Sequence, residues 1–175
     1  MFSIRNISSR HRAWALALAW VAAIYLTSGQ VRSVNDWLRQ WPAYPVLIAI
    51  LCLLFLTVFI TAGLKKRALD RKQWFLIGLI AALYTATVFY LQIPAERAHL
   101  VQYGICALLF YRALRHHMGA GRAVFPAWVL TVLSGFLDEV IQGHTPGRYF
   151  GWGDVILNAW SGAMALGLNF IFILH

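Results

Sequence analysis

The sequence predicts an all-α fold: a polytopic helical membrane protein with about six transmembrane helices, forming a single membrane domain over residues 1–175. Hydrophobic residues make up 61% of the chain and charged residues only 12%, whereas soluble domains hold roughly 45–50% apolar and about 25% charged residues. The apolar residues fall into six runs, each near the ~20 residues that cross a bilayer. This composition excludes intrinsic disorder, and a content of only two cysteines excludes a disulfide scaffold.

The six apolar runs set the predicted helices, and the first and fourth are short enough to need flanking residues in order to span. The runs are Ala13–Gly29, Pro45–Leu64, Trp74–Ile93, Ala98–Leu114, Val124–Gln142 and Val155–Leu174. The first run follows Arg5, Arg10 and Arg12, as the apolar part of a signal peptide would, but no small-residue cleavage site follows at the right distance. We therefore expect a helix that is retained.

The distribution of Lys and Arg between the runs predicts that both termini lie in the cytoplasm. In that orientation eleven basic residues are cytoplasmic and four are on the outer side, which is the positive-inside bias of membrane proteins. The cytoplasmic set is Arg5, Arg10, Arg12, Lys65, Lys66, Arg67, Arg71, Lys72, Arg112, Arg115 and Arg122, and the outer set is Arg32, Arg39, Arg97 and Arg148. Topology and contact with anionic lipid account for the formal charge of +9, so we expect the bilayer and no nucleic acid as partner.

Acidic residues have the opposite distribution, which needs a separate cause because acids contribute little to topology. Only Asp70 is on the cytoplasmic side. The outer acids are Asp36, Glu96, Asp138, Glu139 and Asp154. Ionisable groups near membrane helices are costly and commonly mark functional sites. We therefore expect a shared polar site at the outer face.

Three helix ends supply the candidate residues of this site. On the fourth helix Glu96, His99 and Tyr103 are spaced i, i+3 and i+7 and share one face. The end of the fifth helix and the start of the sixth carry the other polar groups, and small or polar residues continue both as stripes that face other helices. The ligand-binding candidates are Glu96, His99, Tyr103, Asp138, Glu139, Gln142, Arg148, Asp154 and Asn158.

The loop between the fifth and sixth helices contains one cation, Arg148, among four glycines and a proline. Such a composition indicates a structured turn, since these residues adopt or fix backbone angles that others resist. Arginine suits bidentate contact with a carboxylate or phosphate. Arg148 is therefore the candidate contact for an anionic group of a ligand.

Structural interpretations compete with this site. Glu96 is also explained as an acid in the first turn of a helix, Asp154 as an N-cap, and Arg148 as a counter-charge for nearby acids. His99 is also explained as an interfacial histidine with satisfied hydrogen bonds. Taken singly these interpretations suffice, but the collection of all four residues on one face of the membrane favours a shared site.

Metal and hydrolase chemistry have weaker support. The conceivable metal ligands are His99, His144, Glu139 and Asp154. They lack an HExxH or comparable spacing, so the sequence predicts neither a metal nor another cofactor. A Ser-His-Asp hydrolase needs an outer serine beside His99, whereas Ser134 and Ser161 are expected deeper in the membrane.

Two motifs resemble those of VanZ-like membrane proteins, over roughly residues 90–170. The motifs are Glu96-Arg97-Ala98-His99-Leu100-x-x-Tyr103-Gly104 and Glu139-x-x-Gln142-x-x-x-Pro146-x-Arg148-x-x-x-x-x-Asp154-x-x-x-Asn158. The resemblance implies an integral membrane protein of the cell envelope, in the cell (inner) membrane, and a link to glycopeptide resistance of the teicoplanin type. It implies no particular reaction.

Three functions remain open from the sequence. The first is binding of a polar, anionic or lipid-linked envelope component, with Arg148 at its anionic group. The second is an enzyme acting on a lipid-linked substrate, in which Glu139 and Asp154 form an acid/base pair and His99 relays a proton. The third, a transporter or channel, is disfavoured because the second and third runs are almost wholly apolar.

Overall fold

The computed structural model describes residues 4–28, 37–38, 40–64 and 69–173, with side chains from residue 9 onward, and these residues contain six long helices. The helices are α1 (Ile4–Ser28), α2 (Tyr44–Leu64), α3 (Arg71–Tyr90), α4 (Pro94–Leu114), α5 (Val124–Gly143) and α6 (Trp152–Ile171). No strand occurs in the described part of the chain. The predicted all-α fold is therefore confirmed, and each predicted run falls on one helix.

Some sequence predictions concern residues outside the described ranges. These are Arg32, Asp36, Arg39, Lys65, Lys66, Arg67, the side chain of Arg5 and the predicted helix ends Gly29 and Leu174. Among the described ends, the start of α1 was predicted least well, because the helix begins at Ile4 and not at Ala13. A helix needs no apolar residue to continue, so hydropathy marks where α1 enters an apolar environment and not where its hydrogen bonds start.

Four helices, namely α2, α3, α5 and α6, are long and apolar enough to cross a membrane. Many of their large apolar side chains are exposed, for example those of Leu47, Ile50 and Leu54 on α2. A water-soluble monomer rarely exposes such continuous apolar surface. The protein is therefore a helical membrane protein, while the crossing of α1 and α4 and the cytoplasmic location of both termini stay predictions.

Helix α4 is the central element, since it packs against α1, α2, α5 and α6. On one side Phe110 joins Ala17 and Ile24 of α1 in an apolar core. On the other side Leu100 joins a second core with Leu56 of α2 and Val88 of α3. Because protein surrounds much of α4, its polar side chains His99 and Tyr103 face other helices, which explains how a less apolar helix sits inside the bundle.

Arg97 ties three helices together at one end of the bundle. Its Nε donates to the carbonyl of Leu91, at 2.9 Å, and its Nη1 donates to the carbonyl of Pro45, at 2.8 Å. These carbonyls lie at the end of α3 and the start of α2. The arginine that the sequence counts as an outer cation thus satisfies backbone groups that a membrane cannot.

Candidate functional site

The site begins with a buried contact between α4 and α5. The hydroxyl of Tyr103 donates to Oδ2 of Asp138 at 2.9 Å. One turn further along α5, the amide Nε2 of Gln142 donates to the same Asp138 oxygen at 3.1 Å and to Oε1 of Glu139 at 3.0 Å. A single amide therefore joins the two neighbouring acids, and the i, i+3, i+4 spacing of α5 is what places them within its reach.

The loop after α5 folds back onto these groups. The guanidinium of Arg148 donates through Nη2 to Oε1 of Gln142. The backbone N–H of Gly151 donates to Oε2 of Glu139 at 3.2 Å. Asp154 lies close by, since a Cβ built on Gly151 would be 3.1 Å from its Oδ2 and 3.6 Å from Oε2 of Glu139. Two carboxylates thus meet at the same glycine.

His99 connects α4 to α6. Its Nδ1 lies 2.8 Å from Oδ1 of Asn158, and in the tautomer with the proton on Nδ1 the ring donates to this amide oxygen. The imidazole also stacks on Tyr103, with centroids 5.7 Å apart and planes at 16°. Together these side chains form what we call the polar cluster: His99, Tyr103, Asp138, Glu139, Gln142, Arg148, Asp154 and Asn158.

Burial divides the polar cluster into an interior and a rim. Tyr103, Glu139 and Asn158 are 0% exposed, and Asp138 and Gln142 are almost as fully buried. The rim consists of His99, Arg148 and Asp154, which are all half-buried. A ligand that approaches from the end of the bundle would therefore meet the rim first, while the interior residues fix the positions of the rim side chains.

Charge in the polar cluster is unequal. It has three carboxyl groups, on Asp138, Glu139 and Asp154, against the single guanidinium of Arg148. Glu139 interacts electrostatically with Asp138, Asp154 and Arg148. The cluster is therefore rich in hydrogen-bond acceptors, and its donors include Arg148, Gln142, the hydroxyl of Tyr103 and the backbone N–H of Gly151. Such an arrangement can bind a ligand that offers hydroxyl or amino donors beside an anionic group.

The loop that carries Arg148 is held by its own turn and by aromatic packing. The N–H of Arg148 donates to the carbonyl of Thr145 at 3.0 Å, and Gly147 between them has a φ of 76°, a left-handed conformation that favours glycine. Phe150 packs edge-on against Trp152, with centroids 5.0 Å apart, and against Phe136. These contacts fix where the guanidinium can reach.

The structure corrects one interpretation of a candidate residue and places two others. Asp154 is not the N-cap of α6, because α6 begins at Trp152 and its N-cap is Gly151. The acid lies in the first turn, where the helix dipole still favours a negative charge. Glu96 lies in the first turn of α4, half-buried, one turn before His99. His144 is exposed and its Nδ1 pairs with the carbonyl of Val140.

The described residues contain no group of three or more His, Cys, Asp or Glu side chains arranged to hold a metal ion. The serine expected below the site, Ser161, is buried and donates to the carbonyl of Leu157 in its own helix. The cysteines are free thiols buried inside the bundle, at Cys52 and Cys106.

Sequence reasoning missed Tyr25, whereas the small and polar stripe on α5 predicted that Gly135 faces another helix. The hydroxyl of Tyr25 donates to the carbonyl of Ser134 at 2.9 Å and brings α1 against the polar cluster near Asp138. A Cβ on Gly135 would lie 2.8 Å from Cβ of Asn158, so this glycine allows α5 and α6 to approach. The available signal for Tyr25 was weak: a polar aromatic residue in an apolar helix requires a partner when buried.

Comparison with known proteins gives no match, since no family model, no curated protein and no solved structure matches the chain.

Proposed function

We propose that this protein acts at the cell envelope, in the cell (inner) membrane, and binds a polar or lipid-linked envelope component at the polar cluster. The observation that supports this most is the hydrogen-bonded connection of buried side chains from α4, α5 and the following loop to a half-buried rim. Burial of so many ionisable groups is costly in a membrane protein and is typical of functional sites.

Arg148 is the proposed contact for the ligand's anionic group. It is half-buried and its fork suits a phosphate or a carboxylate, while the carboxyl of Asp154 can accept hydrogen bonds from hydroxyl or amino groups. A lipid-linked phosphosugar has both kinds of group. Seven residues of the two motifs that resemble those of VanZ-like proteins belong to the same cluster, namely His99, Tyr103, Glu139, Gln142, Arg148, Asp154 and Asn158. On that resemblance we propose a link to teicoplanin-type glycopeptide resistance.

The test is Arg148→Lys, which retains the charge but loses the planar fork. A bacterial host that expresses the protein is assayed for teicoplanin susceptibility, with purified protein in nanodiscs assayed for binding of a polyprenyl phosphate. We expect Arg148→Lys to lose both activities at a normal membrane level, and Arg71→Lys, an exposed arginine at the start of α3, to retain them. Full activity of Arg148→Lys would exclude the clamp, and disappearance of the protein would indicate a structural role.

An enzyme on a lipid-linked substrate is the second candidate, favoured by the approach of Glu139 and Asp154 to the same side of Gly151. One carboxyl as acid and the other as base would suit proton transfer to and from a substrate at the rim. Purified protein incubated with lipid-linked precursors should then change their masses, and Asp154→Asn should abolish the change. Unchanged precursor masses with intact binding would exclude the enzyme and retain the binding function.

A further inference from the structure

An open apolar groove of about 430 Å³ lies between the start of α5 and the end of α6. Its volume falls within the roughly 300–1,000 Å³ of small-molecule sites. The residues that shape it include Gly121, Val124, Phe125, Trp128, Ala163 and Gly167. Because α5 ends and α6 begins at the polar cluster, the groove is at the opposite end of the bundle and is independent of the proposed function.

The wall of the groove is apolar even at its one polar side chain. The indole Nε1 of Trp128 donates to the carbonyl of Ala159 at 2.9 Å, so the ring presents only carbon to the groove. Phe125 stands at the edge, 68% exposed. The lining residues of α6 extend from Ala163 to Phe170, about 10 Å along the helix axis. This elongated apolar shape fits a hydrocarbon chain.

The end of the bundle beside the groove is strongly basic. Residues 112–122 contain three arginines, Arg112, Arg115 and Arg122, and no acidic residue. All three side chains are exposed, and Arg122 directly follows Gly121, which lines the groove. Each exposed arginine near a membrane surface favours an anionic headgroup. The positive charge at the mouth of the groove suits an anionic headgroup, and the apolar wall suits a hydrocarbon chain. A single lipid molecule has both parts.

We propose that this groove binds an acyl chain of an anionic phospholipid, whose headgroup contacts Arg122. Ala163 has a small side chain, and a Cβ on Gly121 would meet only the ring of Phe170, at 3.9 Å, so these two positions leave the space that the chain fills. The site lies at the arginine-rich end of the protein. Unlike the general contact of the protein with the bilayer, it prefers lipids whose headgroup is anionic.

The experiment measures which lipids remain on the protein by native mass spectrometry after release from nanodiscs with equal phosphatidylglycerol and phosphatidylcholine. We expect the wild-type protein to retain phosphatidylglycerol preferentially, and Arg122→Gln to reduce that preference about fivefold. The matched control is Lys72→Gln, an exposed cation at the start of α3 and away from the groove, which should leave the preference unchanged.

A second pair of variants tests the groove itself. Ala163→Phe fills it and should reduce retention of phosphatidylglycerol, whereas Ala86→Phe, on the exposed face of α3, should not. Ala163→Leu serves the same purpose if the larger ring lowers the yield of folded protein. Equal retention of both lipids by the wild-type protein, or an Ala163 variant without effect, would overturn the proposal. The proposal would also be overturned if the wild-type protein were a dimer that Ala163→Phe dissociates, because a second copy of the protein would then occupy the groove.

Discussion

Replacing Gly135 by alanine tests how closely α5 and α6 approach beside the polar cluster. The new Cβ would lie 2.8 Å from Cβ and 2.9 Å from Nδ2 of Asn158, a side chain that is 0% exposed and bonded to His99. The helices must separate to relieve the contact with Cβ, and this movement draws the amide away from the imidazole. Such overpacking costs about 1–3 kcal/mol, and loss of the hydrogen bond adds about 1 kcal/mol.

The matched control is Gly78→Ala in α3, where a Cβ would meet nothing within 4 Å. Alanine gains about 1 kcal/mol of helix propensity over glycine at both sites, so the difference between the two variants measures the packing cost together with the lost hydrogen bond. Thermal unfolding of the purified proteins in one detergent provides the comparison. We expect Gly135→Ala to be less stable than Gly78→Ala by about 2–4 kcal/mol. Equal stability would refute the close approach of the helices.

A further variant separates the two causes of that loss. The shortest contact of the new methyl group is with Cβ of Asn158, and Asn158→Ala retains this atom. In the Asn158→Ala background, Gly135→Ala should therefore still carry its steric cost. It should carry no hydrogen-bond cost there, because the amide that bonds to His99 is already absent. A complete rescue by Asn158→Ala would show that only the amide group is in the way.

Three other predictions follow from single contacts and from the charge distribution. Tyr103→Phe removes a buried donor from Asp138 and should lower the free energy of unfolding by about 1–3 kcal/mol, measured in the same detergent. Gly147→Ala forces a side chain into a left-handed conformation and should cost about 1–2 kcal/mol, with the loss absent if the turn relaxes. Topology reporters fused after Leu64 and after His144 should report a cytoplasmic and an external location respectively, and the reverse pattern would contradict the predicted orientation.

The helices and the members of the polar cluster were predictable because both depend on local patterns. Apolar runs of about 20 residues locate the helices, and the i, i+3, i+7 spacing places His99 and Tyr103 on one face of α4. The common neighbourhood of the polar residues followed from the cost of leaving them in lipid. These rules require only the sequence of one segment and the properties of the bilayer.

Pairings between helices were not predictable in the same way. The bond of His99 to Asn158 joins residues 59 apart in sequence, and that of Tyr25 to Ser134 joins residues 109 apart. Nothing local selects these partners, since any buried acceptor on a neighbouring helix would satisfy the donor. The role of Arg97 was hidden for the same reason, because backbone carbonyls at helix ends leave no mark in a sequence.

The central place of α4 has a consequence for how the chain enters the membrane. The partners of its polar side chains, Asp138 for Tyr103 and Asn158 for His99, are synthesised 35 and 59 residues later. At roughly 5–20 residues per second, α4 would wait several seconds for them. If α4 crosses the membrane as the sequence predicts, lipid cannot satisfy its polar groups during that interval. Release of α4 from the insertion machinery should therefore be delayed until α5 and α6 emerge, so that nascent chains ending before Asn158 keep α4 bound to the translocon.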